Sequence, residues 1–223
     1  MPPPIALVIF DCDGVLVDSE PLAMRVLLDT IRGAGLELAP ATGYDLFLGR
    51  SLSSVGTMLA EDFGVSLDDT ALAEMRQRLY AAFRAELKPM PGIAETLAAL
   101  PVPFCVASSS QPERIELSLR LTGLWPRFEG RVFSATMVTH GKPAPDLFLY
   151  AADIMGYSPE TCLVVEDSPA GLSAARAAGM RSAGFLGGSH ALGPDFRARL
   201  ETLGPDWLLR EMRDLLPILR GRI

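Results

Sequence analysis

Cysteine is scarce in this chain of 223 residues, and no two cysteines form a CxxC pair. The three that occur, Cys12, Cys105 and Cys162, are scattered along the sequence and odd in number. This pattern argues against a disulfide framework and against a thiolate zinc site. Unpaired, scattered cysteines are typical of a reducing compartment, so the sequence predicts a cytoplasmic protein.

The chain also lacks an excess of positive charge and a long hydrophobic run. It has 20 Lys and Arg residues against 27 Asp and Glu residues, a formal net charge of −7 at pH 7. Nucleic acids and anionic membranes are bound through basic surfaces, so neither partner is expected. The apolar run Ile5–Phe10 is far shorter than the roughly 20 residues that cross a bilayer. Met1–Pro4 contain no basic residue, so no signal peptide is predicted.

Short apolar runs alternate with helical patterns along most of the chain. Ile5–Phe10 is apolar throughout, as expected for a strand buried on both faces. The alternation predicts a Rossmann-like α/β core, in which helices cover both faces of a parallel sheet and ligands bind beyond the carboxyl ends of the strands. Further strands are predicted at Phe104–Ala107, Arg131–Phe133, Cys162–Val165, Ser182–Leu186 and Asp206–Leu209, with helices at Glu113–Leu121, Asp146–Met155, Gly171–Ala178 and Asp195–Leu203.

One segment, residues 21–87, has helical patterns and no strand-like run. Its first helix carries apolar residues at helical spacing from Leu22 to Ile31 and ends at Gly33 or Gly35. Ser51 and Ser66 are the expected caps of a second and a third helix. We therefore expect an α-helical cap domain of residues 19–87, inserted into a core formed by residues 1–18 and 88–223.

Two pairs of carboxylates follow predicted strands. Asp11 and Asp13 come after the first strand, where residues i and i+2 share one side of an extended chain. Glu166 and Asp167 come after the strand at Cys162–Val165. Oxygen ligands at two strand ends of one sheet favour Mg²⁺ over zinc. The alternatives are an Asp-rich turn for the first pair and charges that complement a helix dipole for the second.

Hydroxyl groups and a lysine stand at two further loops. Ser108 and Ser109 follow the strand Phe104–Ala107 and precede a helix, where hydroxyls and free N–H groups can hold an anion. Lys142 precedes the helix at Asp146–Met155 and could supply a positive charge to a phosphate and to the carboxylates. The alternatives are simple loop serines and a solvated lysine.

Four segments together resemble the motifs of the haloacid dehalogenase-like hydrolases, in order and in spacing. They are Phe10–Glu20, Ser108, Lys142–Asp146 and Val165–Ser168, and the resemblance includes a helical cap between the first and second motifs. The sequence is most similar to the subgroup that contains β-phosphoglucomutase and small sugar-phosphate phosphatases.

The resemblance implies roles for individual residues. Asp11 would attack phosphorus to form an aspartyl-phosphate, and Asp13 would act first as general acid and then as general base. The implied Mg²⁺ ligands are Asp11, the backbone carbonyl of Asp13, and Asp167, with Glu166 either binding the ion or supporting its ligands. The implied phosphate-binding groups are Ser108, the Ser109 amide and Lys142.

At several positions the sequence departs from the patterns of particular family members, and these departures disfavour some of the family's activities. Asp13 is present where true dehalogenases lack an aspartate, and the cap offers no lysine before Lys88 for the imine chemistry of phosphonatases. The mutase has a cap histidine where this chain has Ala23 and a cap arginine where it has Leu52. The favoured function is therefore a Mg²⁺-dependent phosphatase for a small phosphorylated metabolite, a sugar or polyol phosphate.

Two alternative functions remain open, and the sequence gives further expectations about substrate contacts, the histidines and the oligomeric state. The alternatives are a β-phosphoglucomutase-like phosphosugar mutase and a non-catalytic phosphate-binding protein. Glu20 and Arg50, the latter in a loop with Gly49, are expected to contact the substrate and set specificity. His140 and His190 are interpreted as loop residues without an assigned role. A monomer or a homodimer is expected.

Overall fold

A six-stranded parallel sheet forms the centre of the computed structural model, which describes residues 3–48, 50–191 and 194–221. The strand order is β3-β2-β1-β4-β5-β6, and every neighbouring pair is parallel. The predicted α/β fold is confirmed. The strands are β1 Leu7–Phe10, β2 Phe104–Ser108, β3 Val132–Ser134, β4 Cys162–Glu166, β5 Arg181–Phe185 and β6 Trp207–Leu209.

The first strand lies at the point where the strand order reverses. Phe10, its last residue, is opposite Val106 of β2 and Val165 of β4. The segments that follow β1, β2 and β4 therefore emerge side by side at one edge of the sheet. In open α/β sheets this reversal leaves a crevice beyond the carboxyl ends of the strands, which is the usual ligand position.

Apolar side chains on the two faces of the sheet build two separate core clusters. Val8 and Phe10 belong to one cluster, and Leu7 and Ile9 belong to the other, as the two-residue period of a strand requires. All four side chains are fully buried, which explains why β1 reads as a continuous apolar run. The helices of this region are α5 Ile93–Ala99, α6 Pro112–Leu121, α7 Trp125–Phe128, α8 Asp146–Met155, α9 Pro169–Ala177, α10 Pro194–Glu201 and α11 Leu215–Leu219.

Between β1 and α5 the chain forms four helices, which we call the cap. Ser51 caps the third of them as predicted, because its side chain accepts a hydrogen bond from the Ser54 N–H. The predicted cap at Ser66 is wrong: the N-cap of the fourth helix is Asp68, two residues later, whose side chain accepts a hydrogen bond from the Ala71 N–H. The cap helices are α1 Glu20–Gly33, α2 Pro40–Phe47, α3 Leu52–Phe63 and α4 Asp69–Glu86.

Helix α2 was not predicted, and its composition explains why. It has eight residues, begins at Pro40 and buries only Gly43 and Phe47, so it carries no repeating apolar stripe. Its position is set by tertiary packing, since Phe47 joins Met24 and Leu28 of α1 in one apolar cluster of the cap. The core helices α5, α7 and α11 are also short and were not predicted either.

The two chain segments between cap and core run side by side. The Asp18 N–H donates to the Lys88 carbonyl at 3.0 Å, and the Met90 N–H donates to the Leu16 carbonyl at 2.9 Å. The division of the chain at residues 18/19 and 87/88 stays a prediction. Within the described part of the chain, no helix combines the length and the apolar character that a membrane span requires.

Candidate active site

The segment after β1 places Asp11 and Asp13 at the carboxyl edge of the sheet. The Asp11 N–H still donates to the Val165 carbonyl of β4, so Asp11 continues the strand's direction. Gly14 then turns the chain with a φ of +77°, and a Cβ atom there would lie 1.9 Å from Oδ2 of Asp167. Only glycine fits this turn, because both its backbone angle and its contact with Asp167 exclude a side chain.

Lys142 joins the first and fourth motifs through its ammonium group. Its Nζ lies 2.6 Å from Oδ1 of Asp11 and 2.6 Å from Oε1 of Glu166, and it donates to the Ala107 carbonyl at 3.0 Å. Burial disfavours the charged ammonium, but the two carboxylates outweigh this effect and hold the pKa of Lys142 above its ordinary value. The lysine therefore compensates the charge of two buried acids.

Glu166 is held through both oxygens of its carboxylate. Oε1 faces Lys142, while Oε2 accepts hydrogen bonds of 2.9 Å from the N–H and the hydroxyl of Ser168. Ser168 is the N-cap of α9, and Pro169 follows at the first helical position. A Cβ atom at Gly171 would lie 1.9 Å from the Glu166 carboxylate, so this glycine leaves room for the acid against the helix.

Three carboxylates meet in an arrangement that fits a hard cation. Oxygen atoms of Asp11, Glu166 and Asp167 lie within 4.8 Å of one another. Oδ2 of Asp167 is buried and has no hydrogen-bond partner among the described residues. Burial, together with the neighbouring carboxylates, raises the pKa values of Asp11 and Asp167 well above their ordinary range. A bound cation would relieve both the unpaired oxygen and the crowding of charge, so the residues fit a metal ion with oxygen ligands.

The carboxylate of Asp13 points to a different set of partners. Oδ1 accepts hydrogen bonds from Ser19 Oγ at 2.6 Å and from Arg114 Nη2 at 2.7 Å, and Oδ2 accepts from Ser110 Oγ at 2.6 Å. Burial alone would raise the pKa of Asp13, but Arg114 and the two hydroxyls outweigh it and leave the pKa below its ordinary value. Each of the two motif aspartates is thus held by a different cation, Asp11 by Lys142 and Asp13 by Arg114.

Ser108 and Ser109 occupy the end of β2 beside the aspartates. Ser108 is almost fully buried, and its Oγ accepts a hydrogen bond of 3.1 Å from the Ser110 N–H. Both serines line the same cavity as Asp11 and Lys142. The structure therefore brings the residues of the first three predicted motifs to one place.

A cavity of about 470 Å³ separates this sheet edge from the cap. Glu20 and Arg50, the predicted substrate contacts, both line it, whereas Gly49 lies outside the described residues. Burial, with added repulsion from Asp167 and Asp13, raises the pKa of Glu20 to about 8. The volume lies within the range of small-molecule sites, so the cavity suits a metabolite rather than a polymer.

Sequence reasoning missed the contacts of Arg114, Ser19 and Ser110 with Asp13, and it did not predict the buried position of His190. The His190 side chain is fully buried, with Nε2 at 2.9 Å from Oδ2 of Asp167, although the two groups are not oriented for a hydrogen bond. It stacks on Tyr44 of the cap. No sequence signal could have placed His190 there. By contrast, His140 is exposed beside Asp146, as expected for a loop residue.

Comparison with known proteins decides the family. The sequence model of the haloacid dehalogenase-like hydrolases matches residues 5–179. The chain belongs to this family. The chain is a phosphoric monoester hydrolase, and the predicted family and enzyme class are confirmed.

Relatives with named activities act on phosphorylated small molecules. The 6-phosphogluconate phosphatase of Escherichia coli is 30% identical over 187 residues, which cover 83% of this chain and 85% of that protein. The fructose-1-phosphate phosphatase of Escherichia coli is 32% identical, with 77% of this chain and 92% of that protein covered.

Solved structures share the architecture over nearly the whole chain. A haloacid dehalogenase-like protein of unknown function from Agrobacterium tumefaciens is 33% identical, with a TM-score of 0.83 over 97% of this chain and 98% of that one. A family hydrolase from Deinococcus radiodurans, crystallised with phosphate and sodium, is 34% identical, with a TM-score of 0.75 over 98% of this chain and 96% of that one.

Proposed function

We propose that this protein is a Mg²⁺-dependent phosphatase that hydrolyses a small sugar or polyol phosphate through an aspartyl-phosphate intermediate. The observation that carries the proposal is the pair Asp11 and Asp13 at the floor of a cavity of about 470 Å³, each held by its own cation. The named sugar-phosphate phosphatases among the relatives support the substrate class.

In the first step, an oxygen of Asp11 bonds to the phosphorus of the substrate while the bond from phosphorus to the ester oxygen breaks. The Lys142 ammonium, 2.6 Å from Oδ1 of Asp11, orients the carboxylate for this attack. The negative charge of the bound phosphoryl group favours the protonated form of Asp13 over the ionised form that Arg114 favours in the free site. Asp13 then gives its proton to the departing ester oxygen, which leaves as an alcohol. The enzyme then carries a phosphoryl group on Asp11 and an ionised Asp13.

In the second step, water replaces Asp11 on phosphorus. Asp13, now a carboxylate, takes a proton from the water as its oxygen bonds to phosphorus and the bond to Asp11 breaks. Inorganic phosphate leaves, and Asp13 again holds the proton that the next cycle requires. Ser108, the Ser109 amide and Lys142 are the groups proposed to hold the phosphoryl oxygens through both steps.

The proposed Mg²⁺ ligands are Asp11, the backbone carbonyl of Asp13 and Asp167. When bound, the ion supplies positive charge that offsets the charge of the phosphoryl oxygens. We assign Glu166 a supporting role rather than direct ligation, because Lys142 and Ser168 already occupy both of its oxygens. Of the two roles that the sequence left open for Glu166, we thus propose the second, support of the metal ligands.

The cap side of the cavity supports hydrolysis over the mutase alternative. Ala23 and Leu52, which stand where β-phosphoglucomutase has a histidine and an arginine, both line the cavity. These apolar side chains cannot hold the second phosphate of a sugar bisphosphate. Glu20 and Arg50 are the proposed contacts to the leaving group of the substrate.

We also propose that the protein works in the cytoplasm, as a monomer or a homodimer and without a nucleic-acid or membrane partner. All three cysteines are buried and free, which suits a reducing compartment.

The test is turnover of p-nitrophenyl phosphate and of a panel of sugar, sugar-acid and polyol phosphates, with Mg²⁺ present. We expect hydrolysis of both kinds of ester, and a loss of at least about 1,000-fold in the isosteric variant Asp11→Asn, which keeps the shape but not the nucleophile. Release of phosphate by Asp11→Asn at the wild-type rate would refute the proposed chemistry. Interconversion of phosphosugars without release of phosphate would favour the mutase.

A further inference from the structure

Arg114 lies in the site, although none of the four sequence motifs contains it. It is the third residue of α6, and its Nη2 donates to Oδ1 of Asp13 at 2.7 Å. Its guanidinium carbon lies 5.3 Å from the centroid of the Phe83 ring, which belongs to cap helix α4. Arg114 is therefore held between the proposed acid–base residue and the cap.

The stability of α6 does not explain an arginine at this position. The N-terminus of a helix carries a partial positive charge, so a cation in the first turn is unfavourable. Acidic residues are preferred there, and Glu113 is one. The interaction that compensates for this cost is the ion pair with Asp13, in which both side chains are largely buried.

Arg114 differs in kind from the other two partners of Asp13. The hydroxyls of Ser19 and Ser110 can rotate and can either donate or accept a hydrogen bond. A guanidinium is planar, always charged and only a donor, so Arg114 can only donate to Oδ1 of Asp13 and cannot rotate to accept from it. Of the three donors around Asp13, Arg114 is therefore the one that fixes where the carboxyl group points.

We infer that Arg114 is a positioning residue, which holds the Asp13 carboxyl group in the orientation that delivers its proton to the leaving oxygen. This inference rests on the proposed phosphatase chemistry. As the Asp11–phosphorus bond forms and the ester bond breaks, the proton moves from Asp13 to the ester oxygen. Arg114 touches neither atom of the breaking bond in this account and acts only through Asp13.

If Arg114 acts through Asp13, the loss of rate on substitution of Arg114 should depend on the leaving group. An alkoxide from a sugar or polyol is strongly basic and needs a proton as it departs, and a positioned general acid contributes about 100- to 10,000-fold to such steps. p-Nitrophenolate is weakly basic and departs without that proton. Loss of Arg114 should therefore slow alkyl phosphates much more than p-nitrophenyl phosphate.

The experiment compares Arg114→Gln and Arg114→Lys with the wild type and with a matched control, Arg120→Gln. Arg120 lies on the same helix and pairs with Glu116 at 2.7 Å, but on the exposed face. For each protein, kcat/KM is measured with p-nitrophenyl phosphate and with an alkyl phosphate that the wild type hydrolyses. The inhibition constant of inorganic phosphate reports binding of the phosphoryl group.

We expect Arg114→Gln to lose about 10- to 100-fold on the alkyl phosphate and less than about threefold on p-nitrophenyl phosphate, within the contribution of a general acid. Arg114→Lys keeps a charged donor and should recover part of the loss. The inhibition constant of phosphate should change by less than about twofold, since Arg114 acts on Asp13 and not on the phosphoryl group. Arg120→Gln should match the wild type in all three measurements.

Equal losses on both esters would overturn the inference and assign Arg114 a structural role. If inhibition by phosphate weakened together with the loss of kcat/KM on the alkyl phosphate, Arg114 would be a direct ligand of the phosphoryl group. That result would also overturn the inference. If Arg114→Gln does not fold, as judged by circular dichroism, the lysine variant gives the same comparison. A wild type that hydrolyses neither ester would instead refute the proposed function, so the two failures are distinguishable.

Discussion

The sheet edge and the cap face each other across one cavity, but the residues that line it on the two sides differ in burial and in hydrogen bonding. At the sheet edge, Asp11, Asp13 and Glu166 are buried and held by short hydrogen bonds to other motif residues or to neighbours. On the cap side, Arg50 and Arg76 are exposed residues that reach the same cavity. Buried charged side chains that are joined by hydrogen bonds keep one arrangement, whereas exposed side chains can move to accommodate substrates of different shape. We infer that the sheet edge sets the reaction and the cap sets the substrate.

Apart from the loss of the nucleophile Asp11, removal of divalent metal should produce the largest loss of activity, and it should affect all substrates alike. In excess chelator we expect activity to fall at least about 100-fold, because the phosphoryl charge then lacks its main counter-charge. Added Mg²⁺ should restore it, while Ca²⁺ should not, since Ca²⁺ prefers more oxygen ligands at longer distances and would misplace Asp11. Full activity in chelator would contradict the assignment of a metal to the sheet edge.

Substitution of Arg50 should change the ranking of substrates and leave the chemistry intact. We expect Arg50→Ala to lose about tenfold in kcat/KM on the preferred sugar phosphate, the size of one charged hydrogen bond. Turnover of p-nitrophenyl phosphate should change by less than about twofold. Arg84→Ala, at an exposed arginine of α4 that does not line the cavity, is the control. Equal losses on every ester would remove the specificity role of Arg50.

The smallest effect should be a pH-dependent gain in stability in Glu20→Gln. The folded-state pKa of Glu20 is raised from 4.5 to about 8 by burial and by Asp167 and Asp13. A raised carboxyl pKa means that the folded state binds the proton more tightly, so this stabilisation is complete below about pH 4.5 and is lost as the pH rises to about 8. Glutamine has no such loss, so its advantage over the wild type should grow across that window.

Urea unfolding in chelator at about pH 5 and at about pH 8 measures this difference. We expect the difference in free energy of unfolding between Glu20→Gln and the wild type to increase by more than about 1 kcal/mol from about pH 5 to about pH 8, because one pKa unit corresponds to about 1.4 kcal/mol. Glu74→Gln, at an exposed position of α4, is the matched control and should show no increase. A difference that is the same at both pH values would show that Glu20 does not carry a raised pKa.

The sheet edge was more predictable from the sequence than the cap, for a physical reason. Parallel strands that are buried on both faces appear as continuous apolar runs, and their carboxyl ends must meet at one edge. Asp11, Lys142 and Glu166 could therefore be placed together although Lys142 stands 131 positions after Asp11. Their contacts follow from topology and not from local sequence.

The contacts that sequence reasoning missed depend on side-chain direction and on long-range packing. Arg114 did carry one signal, since a cation in the first turn of a helix opposes the helix dipole and calls for a compensating partner. His190 carried none, because its place beside Asp167 depends on how a late loop folds over Gly14. Helix α2 lacks an apolar stripe, so its position in the cap could only be seen in the packed structure.

The most direct test of the whole account is to trap the phosphoryl group on Asp11. Wild-type enzyme is mixed with excess substrate and Mg²⁺, quenched in acid within one turnover and reduced with borohydride, which converts an aspartyl-phosphate to homoserine. Peptide mass spectrometry then locates the change. We expect homoserine at Asp11 in the wild type, and none in Asp11→Asn or without substrate. An unmodified Asp11 in enzyme that is turning over, or homoserine at another aspartate, would contradict the proposed mechanism.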